Sequence, residues 1–272
     1  MFAREIHSGA RRLRFLDALP PHGTTPRGTL VLVHAFPLNA RLFEPQAPLA
    51  RLGWRVVAPQ LRGFDGDANE PAAVSMDDYA RDVVDLLTAL GVGPAVIGGV
   101  SMGGYVTFAL LRRLPPHLVR GLVLADTRPQ ADGPEAIEAR KAMLRTLAEG
   151  GVEAVADAMI PKLVGETTRR IRPEIADLAR ALALTNSVDA VAGAIAALMT
   201  RPDSTPLLSS IHCPTLVIVG EEDRVTPPEA SRGMHQAIEG SELVVLPGAG
   251  HLANMEAPAA FNDALGRFLD RV

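Results

Sequence analysis

Gly98-Gly99-Val100-Ser101-Met102-Gly103-Gly104 sets one serine among glycines at the junction of two regular elements. Pro94-Ala95-Val96-Ile97 before it reads as a short buried strand, and residues 105–113 after it as a helix. Gly99-x-Ser101-x-Gly103 therefore fits a nucleophile elbow, a sharp strand-to-helix turn holding the serine in a strained backbone conformation. A side chain at either glycine would collide with the neighbouring strand or helix. The turn presents the serine oxygen near the positive N-terminal end of the helix.

Outward from this turn, strand and helix patterns alternate. Residues 4–18 alternate weakly, as a hairpin or edge strand would. Thr29-Leu30-Val31-Leu32-Val33 is a continuous β-rich run that feeds the loop His34-Ala35-Phe36-Pro37. Arg55-Val56-Val57-Ala58-Pro59 is another strand, followed by a polar loop over 60–69. Ser75 opens a helix with a capping-box start; Tyr79, Val83, Leu86 and Leu90 share its apolar face, and Gly91 ends it. Further strands are expected over 94–98, 121–125, 215–219 and 243–246, with helices over 103–114, within 228–239, and at the end, where Phe261, Leu265, Phe268 and Leu269 make one face. Solidly apolar strands alternating with helices imply a mostly parallel sheet covered on both faces.

Residues 127–210 break the rhythm. A crossover between neighbouring parallel strands needs little more than one helix, about a dozen residues. This stretch holds several helical stripes: Ile137/Leu144/Leu147, Val152/Val155/Met159/Leu163, Ile175/Leu178/Leu182 and Val188/Val191/Ile195/Leu198. The division expected is a core of residues 1–126 and 211–272, with 127–210 inserted as a helical cap over the C-terminal edge of the sheet.

Composition narrows the function classes. The 272 residues suffice for one large domain, and 47% hydrophobic with 21% charged residues is a globular balance. A net charge of −4 without a basic run argues against a nucleic-acid partner. No window approaches 18 apolar residues without charge and the N-terminus shows no secretory pattern, so no membrane partner and a cytoplasmic location are expected. The single cysteine, Cys213, precludes an internal disulfide and reads as a small core residue.

A serine hydroxyl is a weak nucleophile and needs a base, usually a histidine oriented by a carboxylate. Two carboxylates stand just past strand ends after the elbow: Asp126, and Asp223 in Gly220-Glu221-Glu222-Asp223-Arg224-Val225-Thr226-Pro227-Pro228. One histidine stands past the last strand, His251 in Gly248-Ala249-Gly250-His251-Leu252. Parallel strands release their C-terminal loops on one edge, so Ser101, Asp223 and His251 can converge there.

On four motifs in order, at residues 34–37, 99–104, 220–228 and 248–258, the chain resembles an α/β-hydrolase over nearly its full length. It is most similar to capped carboxylesterases, 3-oxoadipate enol-lactonase-like hydrolases and cofactor-free haloperoxidases. The resemblance implies an α/β-hydrolase fold: a mostly parallel central sheet flanked by helices, with the inserted cap. It implies a serine hydrolase without a cofactor, acting with water on esters or lactones of small to medium acyl groups through an acyl-enzyme. Ser101 is then nucleophile, His251 base and Asp223 acid, with Asp126 as rival acid because some relatives carry the carboxylate there. The Asp-x-x-Thr-Pro-Pro setting favours Asp223. The backbone N–H of Met102, next to the nucleophile, is one oxyanion donor, and by resemblance the N–H of Phe36 is the other. The chain departs from many relatives at Ala35, where they carry a more permissive glycine. A carbon–carbon bond hydrolase, a haloperoxidase or perhydrolase on the same scaffold, and a non-catalytic ligand receptor stay open as alternatives.

Other features read as structural. His34 is expected to bond loop backbone, and Glu221 and Glu222 to be solvated loop charges. No histidine pair has metal-ligand spacing. Residues 248–253 match G-x-G-x-x-A, but the acidic residue expected about 20 positions on would fall at the chain end, so no dinucleotide is inferred.

Overall fold

A computed structural model describes residues 1–9, 11–66 and 73–272. Eight strands form one sheet: β1 (Phe2–Ser8), β2 (Arg11–Ala18), β3 (Gly28–Val33), β4 (Trp54–Pro59), β5 (Ala95–Val100), β6 (Val119–Ala125), β7 (Thr215–Gly220) and β8 (Glu242–Leu246), in the order β1-β2-β4-β3-β5-β6-β7-β8. β1 and β2 pair antiparallel, as do β2 and β4; every other neighbouring pair is parallel. The expected N-terminal hairpin is thus β1–β2, and the mostly parallel sheet is present. Part of the loop expected over 60–69 lies outside the described residues.

Alternate residues of the central strands enter two separate cores. Leu30, Leu32, Val96, Val100, Val123, Leu216 and Ile218 pack on one face, beside Phe43 and Leu49 of a 3-10 run at Ala40–Leu52. Val31, Val33, Ile97, Leu122, Leu124 and Val217 pack on the other, beside Tyr79 and Val83 of α1 (Met76–Ala89) and Val106 and Phe108 of α2 (Met102–Leu111). The period-two alternation of a strand explains why these runs are apolar throughout: neither face is left to water. α1 starts at Ser75, whose hydroxyl accepts the Asp78 N–H, and stops before Gly91 at φ 62°.

Between β6 and β7 the chain forms α3 (Pro134–Leu163), α4 (Glu166–Ile171), α5 (Glu174–Leu184) and α6 (Val188–Thr200). α3 turns at Gly151 (φ 66°, ψ −166°), which separates its two apolar stripes. α4 has no counterpart among the expected helices. These helices rest on loops leaving the C-terminal ends of the strands: Asn186 donates to the Pro37 carbonyl, Asn39 donates to that of Leu182, and Asp65 N–H donates to Asn186. Where the segment begins and ends, Ser204 N–H donates to the Pro129 carbonyl at 2.8 Å, and Arg201 pairs with the buried Asp132 at 2.8 Å. Arg128 and Arg140 also reach Asp132.

The chain closes with α7 (Pro228–Ala237), a short α8 (Ala253–Glu256) and α9 (Pro258–Leu269). The apolar face expected at the end is buried: Phe261, Leu265, Phe268 and Leu269 join the first core. Among the described residues no single helix is long and apolar enough to cross a membrane. Cys213 is half-buried rather than core, lying before β7 at the N-terminal edge of the sheet.

Candidate active site

β3 runs to β4 on one side and is flanked by β5 on the other, so the strand order reverses at the β3/β5 crevice, where open α/β sheets bind ligands. Ser101 leaves β5 at that crevice with φ 57° and ψ −115°. A non-glycine residue in such a conformation costs about 1–3 kcal/mol and persists only where its surroundings dictate it. They do here. Ser101 N–H donates to the Ala125 carbonyl, and Thr127 Oγ1 donates to the Ser101 carbonyl. A Cβ at Gly99 would stand 2.4 Å from the Gly103 carbonyl carbon, and one at Gly103 would stand 1.9 Å from the Val33 carbonyl oxygen. Only hydrogen at these two positions lets α2 turn back over the strands.

Ser101 Oγ lies 2.7 Å from His251 Nε2, and His251 Nδ1 lies 2.8 Å from Asp223 Oδ2. His251 is fully buried and Asp223 is 3% exposed, whereas Ser101 is 9% exposed, so the serine is the most exposed of the three. Asp223 folds as an Asx-type turn: its Oδ1 accepts the N–H groups of Val225 and Thr226, and its Oδ2 accepts the Thr226 hydroxyl at 2.7 Å. Burial pushes its carboxyl up, but the neighbouring His251 and the bonds from His251 and Thr226 outweigh burial and hold it below the usual carboxylate range.

Asp126, the other carboxylate read from the sequence, faces elsewhere. It sits at the end of β6 with φ 45°, fully buried, and accepts the N–H groups of Gly220 (2.9 Å) and Ala253 (3.2 Å). Burial, and then the charge of Asp223, raise it well above the ordinary value against those two bonds. It ties the end of β7 to the start of α8 while the imidazole bonds Asp223.

Met102 follows the serine directly, and Phe36 is buried in the loop after β3. Met102 is the first residue of α2, where N–H groups lack intrahelical partners. The loop carrying Phe36 is held against α2 by the Val33–Gly103 contact. Ala35 is buried and is not among the positive-φ residues, so its departure from the expected glycine carries no backbone strain.

His34 bonds loop backbone: its Nδ1 lies 3.1 Å from the Ala35 carbonyl, and its Nε2 accepts the Leu61 N–H. Burial drives this imidazole down to about 4, the bond to Ala35 opposing. Glu222 departs from the expected solvated charge, since it accepts both the N–H and the hydroxyl of Thr167 at the start of α4. Glu221 accepts the Gly248 N–H. These are long-range partners, 55 residues apart for Glu222 and Thr167, and no local pattern announces them. Thr127 and Glu256 likewise carry no local signal for their partners, whereas Thr226 does, standing three residues after Asp223. Among the described residues no group of three or more His, Cys, Asp or Glu side chains could hold a metal ion.

Residues 28–258 match the α/β hydrolase fold family. The chain belongs to that family. As an α/β-hydrolase it is similar over its whole length to a thermophilic esterase from Thermogutta terrifontis, solved with malate bound: 36% identity, TM-score 0.90, covering 100% of this chain and 99% of that one. It is 26% identical to 3-oxoadipate enol-lactonase 2 of Acinetobacter baylyi, over 92% of this chain and 91% of the relative. It is 30% identical to a pimeloyl-[acyl-carrier protein] methyl ester esterase of Neisseria meningitidis, over 84% of this chain and 90% of the relative. The hydrolase is therefore an enzyme of a superfamily that acts on small molecules with water.

Proposed function

We propose that this α/β-hydrolase cleaves carboxylic esters or lactones of small to medium acyl groups through an acyl-enzyme on Ser101. The observation carrying the reading is the continuous chain from Ser101 Oγ through His251 to Asp223, at 2.7 and 2.8 Å. The esterase and lactonase relatives support the same class of carbonyl chemistry.

In this reading Ser101 Oγ bonds to the substrate carbonyl carbon as its proton passes to His251 Nε2. Asp223 fixes the tautomer and stabilises the imidazolium. The carbonyl oxygen becomes an oxyanion held by the N–H groups of Met102 and Phe36, each worth roughly 10²–10³ in rate. The N-terminal end of α2 adds favourable potential for that charge. The intermediate collapses by breaking the carbon–oxygen bond, and His251 returns its proton to the departing alkoxide. Water, deprotonated by the same imidazole, then attacks the acyl-enzyme and releases the acid and free Ser101.

Residues 127–210, on the loops at the C-terminal edge, act as a cap that shapes the acyl pocket. The test is stoichiometric labelling of Ser101 by a fluorophosphonate and a burst of product from p-nitrophenyl esters, followed by a panel of ester chain lengths and lactone ring sizes. An unlabelled, inert wild-type protein would overturn the reading. Preferential turnover of vinylogous diketones would move it to carbon–carbon bond hydrolysis on the same residues.

A further inference from the structure

Four consecutive N–H groups around the histidine each have a specific acceptor. Gly250 N–H and Leu252 N–H donate to the two oxygens of Glu256, at 3.0 and 3.1 Å. Between them, His251 N–H donates to the carbonyl of Leu163, at the end of α3, at 2.9 Å. Ala253 N–H donates to Asp126.

Glu256 is 2% exposed. A carboxylate so deeply buried is costly unless its lone pairs are filled. As a helix-start cap it would need only its own turn, but it also accepts Gly165 N–H at 2.9 Å, from the junction of α3 and α4, 91 residues away. Arg172, just after α4, donates to the Glu256 backbone carbonyl. The approach is close enough to demand glycine on both sides. A Cβ at Gly250 would lie 2.3 Å from Gly165 N, and one at Gly165 would lie 2.8 Å from Gly250 N.

We propose that Glu256 is a positioning residue that joins the helical segment to the histidine loop, so that docking of residues 163–165 is part of what seats His251. The proposal rests on His251 being the base. Glu256 touches neither Ser101 nor the reacting atoms; it acts through the backbone on both sides of the imidazole. The loop is therefore held from one side by the segment between β6 and β7 and from the other by the end of β6.

Gly165→Ala and Glu256→Ala attack the same contact from opposite sides. Both should lower kcat per fluorophosphonate-titrated serine by about 10–100-fold, as a displaced base does, with KM for a p-nitrophenyl ester nearly constant. Glu256→Gln keeps one acceptor oxygen but turns an amide N–H toward a backbone N–H, so it should fall between Glu256→Ala and wild type. The double alanine variant should be no worse than the worse single one, because both remove one coupling. Amide exchange at residues 250–252 should accelerate in Gly165→Ala. The proposal is overturned if kcat per titrated serine in Gly165→Ala and Glu256→Gln stays within about twofold of wild type, or if exchange at His251 is unchanged. A wild-type protein that takes no label defeats the hydrolase reading instead; exchange at His251 in Gly165→Ala then still decides the positioning role.

Discussion

Gly103 and Val33 meet backbone to backbone: a methyl group at residue 103 would stand 1.9 Å from the Val33 carbonyl oxygen. The contact presses the start of α2, with the Met102 amide, onto the end of β3, from which the loop carrying Phe36 leaves. Gly103→Ala should destabilise the fold by about 3 kcal/mol or more, at the upper end of overpacking costs. Gly133→Ala, with nothing within 4 Å, is the control. Urea unfolding of both variants checks this, and equal midpoints would refute it.

Ser101 combines the proposed nucleophilic hydroxyl with a strained backbone. Ser101→Ala and Ser101→Gly both remove Oγ, and both should lose ester turnover by about 10⁴-fold or more. They differ only in strain. The glycine variant should be the more stable of the two by about 1 kcal/mol, since glycine adopts positive φ without cost. Thermal unfolding gives the order, and substantial activity in either variant would defeat the mechanism.

Asp223 and Asp126 are separated by a paired experiment. Asp223→Asn keeps the shape but removes the charge facing the imidazole, and should cost about 10⁴-fold in kcat, the scale of the corresponding change in a serine protease. Asp126→Asn loses one of two backbone bonds, and should lower stability by about 1–3 kcal/mol with a far smaller effect on kcat. A reversed order of the two kcat values would assign the acid role to Asp126.

His34 makes stability depend on pH. Its folded value near 4 lies below the value of 6.5 at which an exposed histidine titrates. Between these the unfolded chain binds more protons, so the contribution of neutral His34 is complete above 6.5 and lost as pH falls toward 4. The loss between pH 7 and 4.5 is about 2 kcal/mol or more. Urea unfolding at both pH values should show a steeper fall for wild type than for His34→Gln, and parallel falls would remove His34 as the cause.

The strands were legible because burial on both faces makes them solid apolar runs, as at residues 30–33 and 215–219. The turn at Ser101 was legible because its glycines answer to local sterics. The 3-10 run Ala40–Leu52 was not: it holds Pro45 and Pro48, which lack the N–H that a helix interior uses, and no expected element covers it. Its support is distant: Gln46 donates to the Asn254 carbonyl, and Asn254 donates back to that of Leu42. The same holds for Glu222 and Glu256, whose partners belong to the helical segment. Periodicity records which face is buried; it carries no record of which distant amide a carboxylate meets.

Ser204 bonded to Pro129, and Arg201 closed on Asp132, bring the two ends of the helical segment together beside the sheet. If the proposed cap is a separable unit, its exchange need not shift a strand. Leu163 and Gly165 set the condition of exchange, because a replacement must deliver one carbonyl to His251 and one amide to Glu256. Both are main-chain groups. Two homologues can therefore differ at nearly every side chain of the cap and still obey the same constraint, which has to be sought in backbone positions rather than in shared letters.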